Sequence, residues 1–539
     1  MSADPSPARV LRTLNRKAHR FLRRFQTRRG GVAVTFALAL IPMSMLGLAA
    51  VDFHRASTVK SQLQDALDAA TLAAGRSSAT TQTGITTVGV NVLKANLKTF
   101  KDVTLTSSTF TLQTDGTVVA SAKATVKPLI ADMFLGTGIP VKADSSVVRA
   151  NNKIELALVL DNTGSMASSS KLTNTKTAAK SLIDTLAAAA ARSTEPDAVR
   201  ISLVPFSMTV RIGTSSQLTT YKSQSWMDPS GTSPINNEIF TTNNATTTQF
   251  ANRWTLFNQM GISWAGCVES RKAPYDVQDT APSSGTPSTR FTPFFSPDEP
   301  DVSQYNNDNT WKNYSTSNNY LSDGLSNNNS NKNWWLRQGR VQKYNTTSVD
   351  TSGGKGPNMG CTMQPISRLT TSYSALKTSI DAMVATGNTN VPMGLMWGWH
   401  TITPNAPFAD GKAYGTDKLK KIVILMTDGE NTFGESSNPN DSAYIGLGYI
   451  FQNRLGISSG TESQRRDKMD ARMAQVCTNM KAKGIEIYVI GVMVDSYTAG
   501  LLKACATDSS HYFDVSASSQ LNDVFNTIAG SIANLHLAH

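Results

Sequence analysis

Apolar positions fall along this chain in three spacings, and each predicts a different kind of element. From Gly31 to Phe53 they are nearly continuous, with no charge before Asp52; at helical rise the run is long enough to cross a bilayer and predicts one transmembrane helix, with a kink at Pro42. From Arg55 to Gly75 the spacing is helical and one-sided. Val59, Leu63, Ala66, Leu67, Ala70 and Leu72 share one side, and Lys60, Gln64, Asp65 and Asp68 the other. Val90 to Leu97 reads as a further helix. Val103 to Leu112, Thr117 to Val126 and Ile139 to Val148 alternate like strands, with Thr114-Asp115-Gly116 as a hairpin turn. Residues 54–150 are therefore expected to form a helical stem with a small α+β unit.

Beyond residue 150 the strands lose their alternation and become wholly apolar. Ile154 to Leu160, Val199 to Phe206, Lys421 to Met426, Ile485 to Val492 and Tyr512 to Val515 are strand candidates. Helical stretches at Leu172 to Ala191, Leu369 to Ala385, Gln464 to Lys483, Thr498 to Ala504 and Ser519 to Leu535 separate them. Strands buried on both faces that alternate with helices predict an α/β fold: a doubly wound, mainly parallel sheet over 151–539. Two polar insertions interrupt it, at about 211–360 and about 430–461. The first is rich in Asn, Ser, Thr, Gly and Pro and carries Trp226, Trp254, Trp264, Trp311, Trp334 and Trp335. Disorder would leave few aromatics, so it reads as an irregular, partly ordered insertion on the domain surface whose tryptophans pack within it; a carbohydrate or protein contact surface is the competing use.

Charge changes the picture at one end. The formal net charge is +12, but nine basic residues against Asp4 place +8 before residue 30, leaving +4 for everything else. This distribution excludes a nucleic-acid footprint over the folded part. The basic residues in 1–30 sit next to the apolar run instead, and the positive-inside rule puts them in the cytoplasm and the remainder outside. A secretory signal peptide is the alternative, for which the apolar run is too long. Cys267, Cys361, Cys477 and Cys505 then face an oxidising compartment, where four cysteines are consistent with two disulfides in any of three pairings. The large insertion reads as clipped by Cys267 and Cys361, while Cys477, on one helix, and Cys505, at the end of another, can be bridged.

The candidate chemistry lies where the first apolar strand of the larger unit stops: Asp161-Asn162-Thr163-Gly164-Ser165-Met166. One carboxylate and two hydroxyls, spaced by two, place hard oxygen ligands at the end of a strand, where α/β sheets gather their ligands. Asp428, in Thr427-Asp428-Gly429, ends a later strand and supplies a second carboxylate. The competing reading of the first motif is a turn with a helix cap, since Ser, Thr and Asp are favoured caps; Asp428 has an ordinary turn as its alternative. No phosphate-binding loop, His-Glu-x-x-His or Cys-x-x-Cys occurs, and the histidines show no paired spacing. Nothing supports catalysis.

The Asp-x-Thr-x-Ser motif at Asp161, Thr163 and Ser165 resembles that of von Willebrand factor A domains. The resemblance implies a metal-ion-dependent adhesion site built from Asp161, Thr163, Ser165, Thr389 and Asp428. Thr389 is assigned by a Gly-x-Thr pattern with Thr386 as its competitor. The cofactor implied is a divalent cation, Mg²⁺ first and Ca²⁺ or Mn²⁺ as options, whose shell a partner's acidic residue completes. Separately, the stretch from Arg29-Gly30-Gly31-Val32 to Val51-Asp52, followed by Leu63-Gln64-Asp65-Ala66-Leu67-Asp68, resembles the N-terminal segment of TadG-like tight-adherence (Flp-type) pilus assembly proteins. Related prepilins carry a glutamate five positions after the glycine where they are cut; Thr35 stands there here, which argues for a segment that stays in the membrane.

Together these resemblances imply a non-enzymatic, single-pass protein of the bacterial inner membrane. It is expected to bind pilus or secretion-apparatus components through the cation, supporting pilus assembly, adhesion and biofilm formation. A surface adhesin acting directly on host or matrix ligands, and a Mg²⁺-dependent hydrolase using Asp161, are the alternatives.

Overall fold

The first helix, α1, runs from Gly31 to Arg76 and continues through Pro42 in the computed structural model. The described residues are 31–77, 79, 81–98, 103–113, 116–128, 138–148, 152–193, 195–240, 251–307, 310–326, 328 and 333–537. The basic segment 1–30 and the turn residues Thr114 and Asp115 lie outside them. The chain forms two compact units that divide between residues 149 and 150.

In the first unit, α1 changes its surroundings along its length. Phe36, Leu46 and Phe53 are 66%, 72% and 76% exposed, and the helix is long and apolar enough to cross a membrane. From Ala56 onward the same helix buries Leu63, Leu67, Ala70 and Ala74. It therefore has one half suited to lipid and one half that needs a protein partner surface. That surface is α2 (Gln82–Leu97) and a three-stranded antiparallel sheet, β1 (Val103–Leu112), β2 (Thr117–Val126) and β3 (Ile139–Val148), with β2 central. The three strands have the expected limits. Helix α2 begins eight residues before the expected Val90, although Thr-Gly-Ile-Thr-Thr-Val-Gly is poor helical sequence. Two contacts override that propensity: the Thr81 hydroxyl accepts from Gly84 N at 3.2 Å, and Gly89 lies under the Phe110 ring, where a Cβ would stand 2.4 Å from Cδ1.

The second unit is the expected α/β fold. In chain order it contains β4 (Lys153–Asp161), α3 (Lys171–Ala190), β5 (Val199–Phe206), β6 (Ser367–Thr370), α4 (Tyr373–Asp381), α5 (Val391–Ile402), β7 (Leu419–Thr427), α6 (Glu462–Ala482), β8 (Glu486–Val492), α7 (Ser496–Cys505), β9 (Tyr512–Val515) and α8 (Leu521–Leu537). The six-stranded sheet has the order β6-β5-β4-β7-β8-β9, parallel except for β6. One expectation fails here. Leu369 to Ala385 is not a continuous helix: its first residues form the antiparallel edge strand β6, and only Tyr373–Asp381 is helical. Backbone pairing with Ile201 and Leu203 decides the matter, together with the Tyr373 hydroxyl donating to Val199 O at 2.7 Å.

Alternation along β4 explains its apolar run, because each face of the sheet has its own core. Ile154, Leu156, Leu158 and Leu160 face α3, α4 and α8, whereas Ala157 and Val159 face α5, α6 and α7. Glu155, buried mid-strand, is neutralised by Arg200 and Lys421 and accepts from Lys412 N at 3.0 Å.

The large insertion departs from the expected surface position. Its Phe240, Phe257, Phe291, Phe294, Phe295 and Tyr344 belong to the same core as Trp397 and Trp399 of α5. Trp226, Trp264 and Trp334 are buried, Trp254 is partly so, and Trp335 is 41% exposed. Disulfides join Cys267 to Cys361 and Cys477 to Cys505.

Candidate metal centre

Strand β4 ends at Asp161, in the middle of the sheet, and the chain then turns through a short 3-10 segment, Gly164–Ala167, before α3. Asp161 is fully buried, and Thr163 nearly so. The Asp161 Oδ1 accepts from Thr163 N at 2.8 Å and from its hydroxyl at 2.6 Å, while Oδ2 accepts from the Thr427 hydroxyl at 2.6 Å. The hydroxyls of Thr163 and Ser165 lie 3.1 Å apart. Ser165 donates to Asp428 Oδ1 at 2.7 Å. Since β7 pairs directly with β4, register alone brings Asp428, one residue past β7, beside this turn. Ser165 is exposed, so the cluster opens outward on its side.

The loop before α5 closes the other side. Gly164 N donates to Gly387 O at 3.0 Å, and Thr386 N to Asn162 O at 2.8 Å. Gly387 has φ of +73°, and a Cβ there would stand 2.5 Å from the Ser207 hydroxyl, so glycine is required on both counts. Thr389 is buried; its amide donates to the Thr432 hydroxyl at 2.7 Å and its carbonyl accepts from Thr432 N at 2.9 Å. The Thr386 hydroxyl pairs with that of Thr362 at 3.3 Å. Asp161, Thr163, Ser165 and Asp428 are thus linked by hydrogen bonds, and Thr389 comes to the same sheet end through its loop.

Burial, then the neighbouring charge of Asp428, push the Asp161 carboxyl up to about 6, against the hydrogen bonds from Thr163 and Thr427. A buried carboxylate whose charge is disfavoured by a second one beside it is a setting that a cation relieves. Among the described residues no group of three or more His, Cys, Asp or Glu is placed to hold a metal. The donors here are two carboxylates with hydroxyls, all oxygen, and that set fits a hard divalent ion rather than a soft one.

Two participants were not anticipated from sequence. Thr427 orients Asp161 from the neighbouring strand. Lys171, 9% exposed, places its ammonium 2.8 Å from Asp428 Oδ2. The available signal for Lys171 was a cation opening a helix, where the helix dipole disfavours it.

Residues 30–77 match the Tad family model, described as Flp pilus-assembly TadE/G-like. No curated protein matches the chain in sequence. Among solved structures, the chain is similar to the vWF domain of the type V pili tip protein of Porphyromonas gingivalis: 12% identity, 73% of this chain and 98% of that one covered, TM-score 0.32. An adhesive tip pilin of Group B Streptococcus agalactiae gives 11% identity, 70% and 100% coverage and a TM-score of 0.31. The pilus adhesin SpaC of Lactobacillus rhamnosus GG gives 12% identity and a TM-score of 0.32, with 80% of this chain but 35% of that one covered. Residues 30–77 are thus similar to a TadE/G-like Flp pilus-assembly segment, and the unit that begins after residue 149 is built on a six-stranded, mainly parallel sheet.

Proposed function

We propose that this chain is a single-pass inner-membrane protein, with residues 1–30 cytoplasmic and the A-like unit extracytoplasmic, that supports tight-adherence pilus assembly by binding a protein partner through a divalent cation. The observation that carries the reading is the meeting, at one end of the sheet, of the Asp161–Ser165 turn, the loop bearing Thr389, and Asp428. Asp161 and Asp428 supply charge, and the hydroxyls of Thr163, Ser165 and Thr389 supply neutral oxygens. A bound Mg²⁺, Mn²⁺ or Ca²⁺ provides a coordination position for an acidic side chain of the partner. Ser165, the exposed member, marks the rim at which that side chain arrives. The carboxylates and hydroxyls of the site hold one another in place as a set of oxygen donors, and binding rather than turnover is the role we assign to it.

The test uses the full chain in detergent and in cells. Asp161→Ala should abolish Mg²⁺ uptake by calorimetry and remove chelator-sensitive capture of pilus components while α-helical circular dichroism is retained. Uptake unchanged by the substitution would sink the cation bridge. Pilus counts in a deletion strain address the cellular role: normal numbers would remove assembly from the reading, while protease access to the A-like unit in spheroplasts checks its side of the membrane.

A further inference from the structure

Lys171 is a buried ammonium that the proposed site does not require. Its Nζ donates to Asp428 Oδ2 at 2.8 Å, while the other oxygen of that carboxylate accepts from Ser165 at 2.7 Å. It opens α3, where the helix dipole repels a cation, and it is 9% exposed. Neither hydration nor the helix holds it there; the carboxylate does. The chain is turned into this position by Ser169 and Ser170, with φ of 51° and 54°, a left-handed conformation that serine seldom adopts. The turn is tied down by the Ser518 hydroxyl donating to Ser169 O at 2.7 Å. Two consecutive residues in an unfavourable conformation, spent on placing one buried cation, indicate that its position matters.

We propose that Lys171 is a resident counter-cation that sets the charge of the metal centre, weakening its hold on the divalent ion and strengthening its hold on a carboxylate-bearing partner; this rests on the metal-site reading above. Two carboxylates and one ammonium leave a single negative charge. A divalent ion turns that into a single positive charge, which one carboxylate of the partner neutralises. Were Lys171 neutral, the loaded site would already be balanced, and an arriving carboxylate would leave it negative. At these short, partly buried separations charge is weakly screened, so the difference is felt. The ligand class this selects is an acidic side chain, in preference to a neutral oxygen donor.

The probes are Mn²⁺ followed by electron paramagnetic resonance and acetate followed by relaxation of its protons, both on the full chain in detergent. The neutral variants are Lys171→Met and Lys171→Gln, the second retaining a donor for Asp428; Lys171→Arg retains the charge. The neutral variants should bind Mn²⁺ about tenfold or more tightly than the parent and bind acetate severalfold less tightly once loaded, with the arginine variant close to the parent. In the parent chain acetate should tighten Mn²⁺ binding by the factor with which Mn²⁺ tightens acetate, an arm that needs no variant to fold. Unchanged or weaker Mn²⁺ binding in a folded neutral variant, or no acetate coupling in the parent, overturns the role of Lys171; loss of Mn²⁺ binding in Asp161→Ala would show that the site itself survives. Absence of Mn²⁺ binding in the parent would overturn both.

Discussion

At the scale of single residues, the centre is governed by Asp161, whose oxygens are both occupied by neighbouring donors. Thr427 is the donor contributed by a different strand, at 2.6 Å. A hydrogen bond to a charged group contributes about 1.5–3 kcal/mol, so Thr427→Val, which keeps the shape and removes the donor, should destabilise the A-like unit by that amount in urea unfolding. It should also loosen Asp161 and weaken Mg²⁺ uptake; a variant with unchanged stability and uptake would show that Thr427 does not orient the carboxylate. Asp161, Thr163, Ser165 and Asp428 were legible because a carboxylate and hydroxyls directly follow apolar strands. Lys171 was not, since its partner lies 257 positions away and the pairing exists only once β4 and β7 are neighbours.

At the scale of elements, α5 decides how the sheet meets the insertion. It is buried along its whole length, capped by Asn390, whose side chain accepts from Met393 N at 3.2 Å. Gly394 and Gly398 let it approach the sheet: a Cβ on Gly398 would stand 2.4 Å from Val159 Cγ2. Overpacking of this kind costs about 1–3 kcal/mol, so Gly398→Ala should lower the unfolding midpoint despite alanine's better helix propensity; a stabilised variant would refute the close approach.

The same helix carries His400, buried against Trp397 and Phe291 at ring distances of 5.4 and 5.1 Å. Burial, and then the charge of Arg271, hold its imidazole well below the ordinary 6.5. Folded His400 therefore stays neutral where the unfolded chain takes up a proton. The stability it contributes is complete above about pH 6.5 and falls as pH drops below it, by about 1.4 kcal/mol per pH unit for one proton. Urea unfolding at pH 7.5, 6.0 and 5.0 should show this slope, and His400→Gln should flatten it; parallel curves for the two proteins would exclude His400 as the source.

At the scale of the whole molecule, the insertion is part of the core, and of the two disulfides one clips the insertion while the other joins α6 to α7. They close loops with sequence separations of 94 and 28 residues. Chain entropy alone assigns these about 4–5 and about 3–4 kcal/mol. Reduction should therefore lower the melting temperature in two steps, with the Cys267→Ser/Cys361→Ser pair costing more than the Cys477→Ser/Cys505→Ser pair. The reverse order, read by calorimetry of the paired variants, would mean that strain or residual structure outweighs loop length.

By itself the sequence determined the elements whose pattern is local and strong: the apolar half of α1, the strands β1 to β5, and the oxygen-rich turn at the end of β4. These follow from composition and spacing that need no partner. The tertiary structure decided what depends on neighbours distant in the chain. It made Ser367–Thr370 an edge strand, extended α2 over poor helical residues, and brought an Asn-rich insertion into the core through its aromatics. It also set Lys171 against Asp428, because a buried charge finds its counterpart only when the sheet has assembled around both.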